Sequence, residues 1–291
     1  MTSTAMNQTT FNNTAKPAGK KKLKGTDVGI PVRKLGQTYD ESFPTFWFKN
    51  NAYLTMLFSA FSANLPEGEA QFVHSVRLFQ DKITDPVLKA QVRAFIGQEA
   101  HHSREHDDFN AAMVKRGFPL DRVENRLKGL IKIMKKRSAR KQLAETVCAE
   151  HFTALMADYI LSDNTGMLET IAEPLRTTWA WHAIEELEHK AVAFDVYDQL
   201  VADRGLLRRT MFEQTIFIML LNTFNALHLM TKTGEMGNRK MWREAFSMLG
   251  QMGRTMWSDY KDFYKRDYHP MQHDSQATLE KARKQFLTGK M

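Results

Sequence analysis

The chain has 291 residues, 43% of them hydrophobic, and a formal net charge of +8. That length leaves room for one large domain or two smaller ones, and that apolar content excludes a globally disordered chain. The single cysteine, Cys148, excludes an internal disulfide and points to a reducing, cytoplasmic setting.

Residues 1–27 read as a polar, basic, disordered tail, with Lys20, Lys21, Lys22 and Lys24 and no apolar core of a secretory signal. A short extended arm, Val28 to Leu35, follows. Residues 28–270 form the helical domain, and residues 271–291 read as a loosely structured C-terminal tail.

The first helix is expected from about Phe46 to Ala63, with Trp47, Leu54, Leu57, Phe58 and Phe61 on one side. Pro66 then marks a fresh helix start. Asp85-Pro86 is an N-cap followed by proline at the first helical position, and Gly117 sits where a helix would end. Between them Val92, Phe95, Glu99, His102, His106, Phe109 and Met113 recur at spacings of three and four, which makes one helix seam. A basic crossover follows, with Lys135, Lys136, Arg137, Arg140 and Lys141 and a short helix near Arg126 to Met134. The next seam runs Leu143, Val147, Glu150, Ala154, Ala157, Leu161. Pro174 opens another, with Leu175, Trp179, His182, Glu186, His189, Ala193, Val196 and Leu200. Two further helices are expected over about 206–232 and 238–264. The stretch Thr215 to Met230 is too short and too polar for a confident membrane span, so it reads as a buried helix or an oligomer interface, with peripheral membrane contact as the lesser alternative.

The chemical signal lies in those seams. Four apolar stripes are interrupted by acids or histidines where the pattern calls for Leu or Val, and charged residues are seldom buried unless paired or metal-bound. In chain order they are Glu69, then Glu99 with His102, then Glu150, then His182, Glu186 and His189. A Glu-x-x-His spacing puts both side chains on one helix face. One Glu from each of two helices and Glu-x-x-His from each of two others is the ligand pattern of di-iron and di-manganese carboxylate bundles. The long connection after the second bundle helix fits the single crossover of a ferritin-like topology. The expected fold is therefore all-α: a ferritin-like four-helix bundle with one extra N-terminal and two extra C-terminal helices. His106 continues a ligand seam but is more simply a core histidine bonded to a neighbour. His101, His151, Glu185 and Glu188 fall off the seams and read as solvent-facing or as partners of ligands. Glu145 is a rival to Glu150 but lies off the stripe.

The stretches IPVRKLGQTYDESFPTFWFKNN, LPEGEAQFVHSVR, GQEAHH, AEHFTALMADYIL, WHAIEELEHKAVAFDVY and YKRDYHP resemble a bacterial family described as predicted metal-dependent hydrolases. The helix with His182, Glu186 and His189 is also similar to the His-x-x-x-Glu-x-x-His helix of di-iron arylamine N-oxygenases. That resemblance implies that His182 is a seventh ligand, and its place one turn before Glu186 agrees.

Mixed nitrogen and oxygen ligation suits iron or manganese and disfavours a closed structural zinc site. The first expectation is an O2-activating oxidoreductase with two iron ions, or manganese or a mixed pair, acting on a small organic or lipid-like substrate and needing an electron donor. The alternative is a metal-dependent hydrolase in which two metals, zinc among them, activate a water. A non-catalytic metal-binding protein is the third. The basic runs lack the interleaved aromatics of a nucleic-acid module, so no nucleic acid is expected. A homo-oligomer and contact with the inner membrane face remain compatible with the sequence.

Overall fold

The computed structural model describes residues 22–40 and 42–287. The disordered tail expected over residues 1–27 falls mostly outside them. The expected extended arm begins as a single helical turn over Thr26–Val28, after which Ile30 and Leu35 are buried against the bundle.

Helix α1 spans Ala52–Arg77 and starts later than expected, because Lys49 and Asn50 take left-handed backbone angles and the Asn51 side chain caps Leu54 N. Pro66 does not start a new helix; it lies inside α1. A proline leaves the carbonyl four residues back without its helical donor. Here that carbonyl is Ser62 O, and Asn110 Nδ2 donates to it at 3.3 Å. The expected extra N-terminal helix is thus the first half of a bundle helix.

Helix α2 spans Pro86–Lys115, with Asp85 capping Val87 and Leu88 and Gly117 at φ 90° beyond its end. The crossover is more helical than expected: α3 covers Leu120–Met134, and its buried Leu120, Val123, Leu127 and Ile131 follow a helical stripe. Helix α4 is Ala139–Leu161, capped by Ser138. The seam from Leu175 to Leu200 is divided into α5, Leu175–His189, and α6, Val192–Leu200. The break follows His189 directly, where the Lys190 ammonium is drawn to His273 O and Ser275 Oγ.

Helices α7, Arg204–Met230, and α8, Arg239–Asp262, lie near the expected bounds. The C-terminal stretch departs from the expectation of loose structure. Residues Gln276–Phe286 form α9, which buries Leu279 and Ala282 and packs on α5 and α4. Helices α1, α2, α4 and α5 make the four-helix core, α3 and α7 lie against α1, and α8 lies against α4. Among the described residues there is no strand, only an isolated bridge between Phe48 and Ile171. No described helix is long and apolar enough to cross a membrane.

Candidate metal centre

Each core helix turns its interrupted stripe inward. Glu69 comes from α1, Glu99 and His102 from α2, Glu150 from α4, and His182, Glu186 and His189 from α5; all are buried. Their ligand atoms form three overlapping groups. One holds Glu99, Glu150 and His189, a second Glu99, His102 and Glu186, and a third Glu69, His102 and His182. The structure brings together all seven residues singled out in the sequence. Glu99 and His102 each belong to two groups, and Glu186 Oε1 lies 3.5 Å from His102 Nδ1 and 3.3 Å from His182 Nε2. His189 Nε2 lies 3.1 Å from Glu99, 3.4 Å from Glu150 and 3.5 Å from Glu186.

These approaches are close, yet both oxygens of Glu99 and Glu150, Glu69 Oε1 and His189 Nε2 are buried without a hydrogen-bond partner. Buried polar atoms normally find one. Cations would satisfy this set, and four carboxylates with three neutral imidazoles match the charge of two divalent ions. Without cations, burial favours the protonated form of three of the four carboxylates. Burial pushes Glu69 up to about 8. Burial also lifts Glu99 well above the usual carboxylate range, reinforced by the charges of Glu186, Glu150 and Glu69, and it raises Glu150. Burial works against charge on Glu186 too, but His189, His102 and His182 outweigh it and hold that carboxyl well below its ordinary value. Burial likewise opposes charge on His102 and His189. The carboxylates of Glu185 and Glu186 around His102, and of Glu186 and Glu150 around His189, prevail and raise both rings well above theirs.

A second layer turns the three imidazoles. His189 Nδ1 donates to Gln98 Oε1 at 2.9 Å, and Gln98 Nε2 donates in turn to Glu188 and to Pro31 O. His102 Nε2 lies 3.2 Å from Glu185 Oε2. His182 Nδ1 meets His106 Nε2 at 3.1 Å, and His106 Nδ1 meets Ser62 Oγ at 2.8 Å. Since Ser62 Oγ donates to Asn110 Oδ1, it accepts from His106 Nδ1. His106 Nε2 then accepts from His182 Nδ1, and His182 Nε2 keeps its lone pair for the centre. His106 is the bonded core histidine expected.

Glu185 and Glu188 are not solvent-facing. Both side chains are fully buried, and Arg33 on the N-terminal arm bonds to each at 3.2 and 2.8 Å. Arg283 of α9 holds Glu188 from the other side at 2.7 Å. His151 is also buried, bonded to Tyr268, and outside the ligand groups. Glu145 is buried but pairs with Arg137 and joins none of them. Gln98, Ser62, Asn110, Arg33 and Ser103, which donates to Glu69 Oε2 at 2.8 Å, were not identified from the sequence. The one available signal was that Ser62, Gln98 and Asn110 are uncharged polar residues close to helix seams.

A family model described as a predicted metal-dependent hydrolase matches residues 31–274. No curated protein and no solved structure matches the chain. The family description favours the hydrolytic alternative over the oxidative expectation.

Proposed function

The chain belongs to the family of predicted metal-dependent hydrolases, and on that premise we propose that it is a dinuclear-metal hydrolase. The observation that carries this reading is the convergence of Glu69, Glu99, His102, Glu150, His182, Glu186 and His189, whose buried carboxylate oxygens largely lack partners. Glu150 and His189 would hold one ion, Glu69, His102 and His182 the other, and Glu99 and Glu186 would span the two. When bound, two such ions lower the pKa of a water and polarise a substrate carbonyl or phosphoryl oxygen.

The chain's own residues orient and insulate. Gln98, Glu185 and His106 turn the three imidazoles so that one nitrogen of each faces inward. Trp181 packs edge-on against His102 and Phe95 against His189, which keeps bulk water from the rings. Hydrolysis needs nothing further: water gives its hydroxyl to the acyl or phosphoryl centre and its proton to the leaving group. The test is to load the purified protein with zinc or manganese and assay acyl esters of graded chain length. Ester cleavage that is lost on chelation and in Glu99→Ala supports the reading; cleavage indifferent to both overturns it.

A second reading, O2-dependent oxidation by two iron ions with an external electron donor, rests on a different observation. Every donor sits on a bundle helix, in the order used by di-iron and di-manganese carboxylate proteins. It would be favoured if the reduced, iron-loaded protein consumes O2 and the zinc-loaded protein cleaves no ester.

A further inference from the structure

Beside the ligand cluster is a cavity of about 450 Å³ between α1, α4, α7 and α8. That volume falls within the range of about 300–1,000 Å³ typical of ligand pockets. Its inner wall comes from the segments that carry two of the proposed ligands. Leu65 and Phe72 lie about one turn to either side of Glu69, and Thr146 and Thr153 about one turn to either side of Glu150. From there Phe58 and Phe61 extend it along α1, with Ile218 of α7 and Met252 of α8 opposite. The lining is overwhelmingly apolar and narrows the choice of ligand to an apolar chain.

The mouth is marked by two residues that line the cavity and are nonetheless open to solvent, Met219 at 64% and Trp257 at 56% exposure. Next to it, Phe212, Ile216, Leu220, Phe224 and Leu227 form an exposed stripe along α7. Their spacing of three and four keeps them on one face, and all five are exposed, with the Arg126 guanidinium over the Phe224 ring. Soluble monomers rarely expose so continuous an apolar patch without a use. The two helices are net basic, with eight Lys or Arg and four Asp or Glu between them, and Arg126 sits on the stripe itself. A two-fold contact between copies would bring these like charges together, whereas an anionic lipid surface complements them. No described helix can cross a membrane, so the contact is one of lying on the surface.

We propose that the α7–α8 face docks on an anionic lipid surface and that the cavity behind it takes one long apolar chain, of the acyl class, with its polar end toward Glu69 and Glu150. The orientation of the chain rests on the metal-centre reading above; the docking and the chain binding do not.

The test uses the full chain and two binding readouts, with metal content measured on the same samples. The first is co-sedimentation with vesicles of equal phosphatidylglycerol and phosphatidylcholine, against phosphatidylcholine alone. The second is displacement of a fluorescent fatty acid by palmitate. Salt-sensitive sedimentation with the anionic vesicles is expected, and its loss in L220E/F224E. Palmitate should bind, and Met252→Trp, or Met156→Trp on the α4 wall of the cavity, should each weaken it by about tenfold or more, the effect of denying a site to a few methylenes. Wild-type protein that ignores the vesicles, or forms a dimer that L220E/F224E disperses, would make the stripe a protein interface and overturn the proposal. Absent palmitate binding, or binding unchanged in both cavity-filling variants, would overturn it as well. Metal without chain binding sinks this inference alone; chain and vesicle binding without metal sinks the metal-centre reading alone.

Discussion

Asn110 of α2 donates its side-chain amide to the Ser62 carbonyl of α1, the carbonyl that Pro66 deprives of its helical donor. The same Asn110 accepts from the Ser62 hydroxyl at 2.9 Å, and that hydroxyl meets His106. The repair of a helix defect and the orientation of His182 therefore share one pair of residues.

Asn110→Ala should cost about 1–3 kcal/mol by urea denaturation, since it strands a buried carbonyl. In a Pro66→Ala background, where the helix can supply Ser62 O with its own donor, the cost should shrink. Strictly additive costs in the double-mutant cycle would show that Asn110 does not serve that carbonyl.

Gln98 holds the ring of His189 through Nδ1. Gln98→Leu should leave the fold intact and weaken metal affinity about 10–100-fold, the effect typical of losing a partner behind a ligating histidine. Competition titration against a chromogenic chelator measures it, and an unchanged affinity would reduce Gln98 to a packing residue.

The metal-free protein should lose stability as pH rises from about 6.5 to about 8. Glu69 is raised to about 8, and Glu99, Glu150, His102 and His189 are raised too, so the folded chain holds protons that the unfolded chain releases. A group raised in this way gives stability that is lost as pH climbs through its folded value. His182, lowered to about 4 by burial and by His102, and His151 and His106, lowered chiefly by burial, have the opposite sign, but their contribution fades once the unfolded histidines finish titrating just above 6.5. Metal binding displaces those protons and should tighten with pH. The gap in thermal midpoint between zinc-loaded and metal-free protein should therefore widen from pH 6.5 to 8; a constant or narrowing gap would contradict these shifts.

Arg33 is the cation facing buried Glu185 and Glu188 from the N-terminal arm. Arg33→Met should destabilise by about 3–5 kcal/mol, as removal of one partner from a buried ion pair does. A change below about 1 kcal/mol would mean that Arg283, which also reaches Glu188, suffices alone.

The converging positions were legible because Glu99, His102, Glu186 and His189 interrupt apolar stripes at helical spacing, where a charge needs a partner. The all-α bundle followed from the same stripes. What was illegible depends on partners far away in the chain. Pro66 reads as a helix start until Asn110, 48 residues on from Ser62, is known to rescue the carbonyl. Glu185 and Glu188 read as surface acids or as partners of ligands, and nothing near them in the sequence points to Arg33, more than 150 residues distant. Helix α9 has few apolar anchors, Leu279 and Ala282 among them, and its docking on α5 leaves no periodic signal of its own.

The most direct test of the account is the metal content of the purified protein and of its Glu99→Ala, Glu186→Ala and His182→Ala variants. Because Glu99 and Glu186 lie between the two halves of the cluster, two ions per chain are predicted in the wild type, with loss of both when either carboxylate is removed. His182→Ala should stay folded and lose or loosen one ion. A folded wild-type chain that takes up no iron, manganese or zinc, or variants that bind two ions as the wild type does, would contradict a dinuclear centre at these residues.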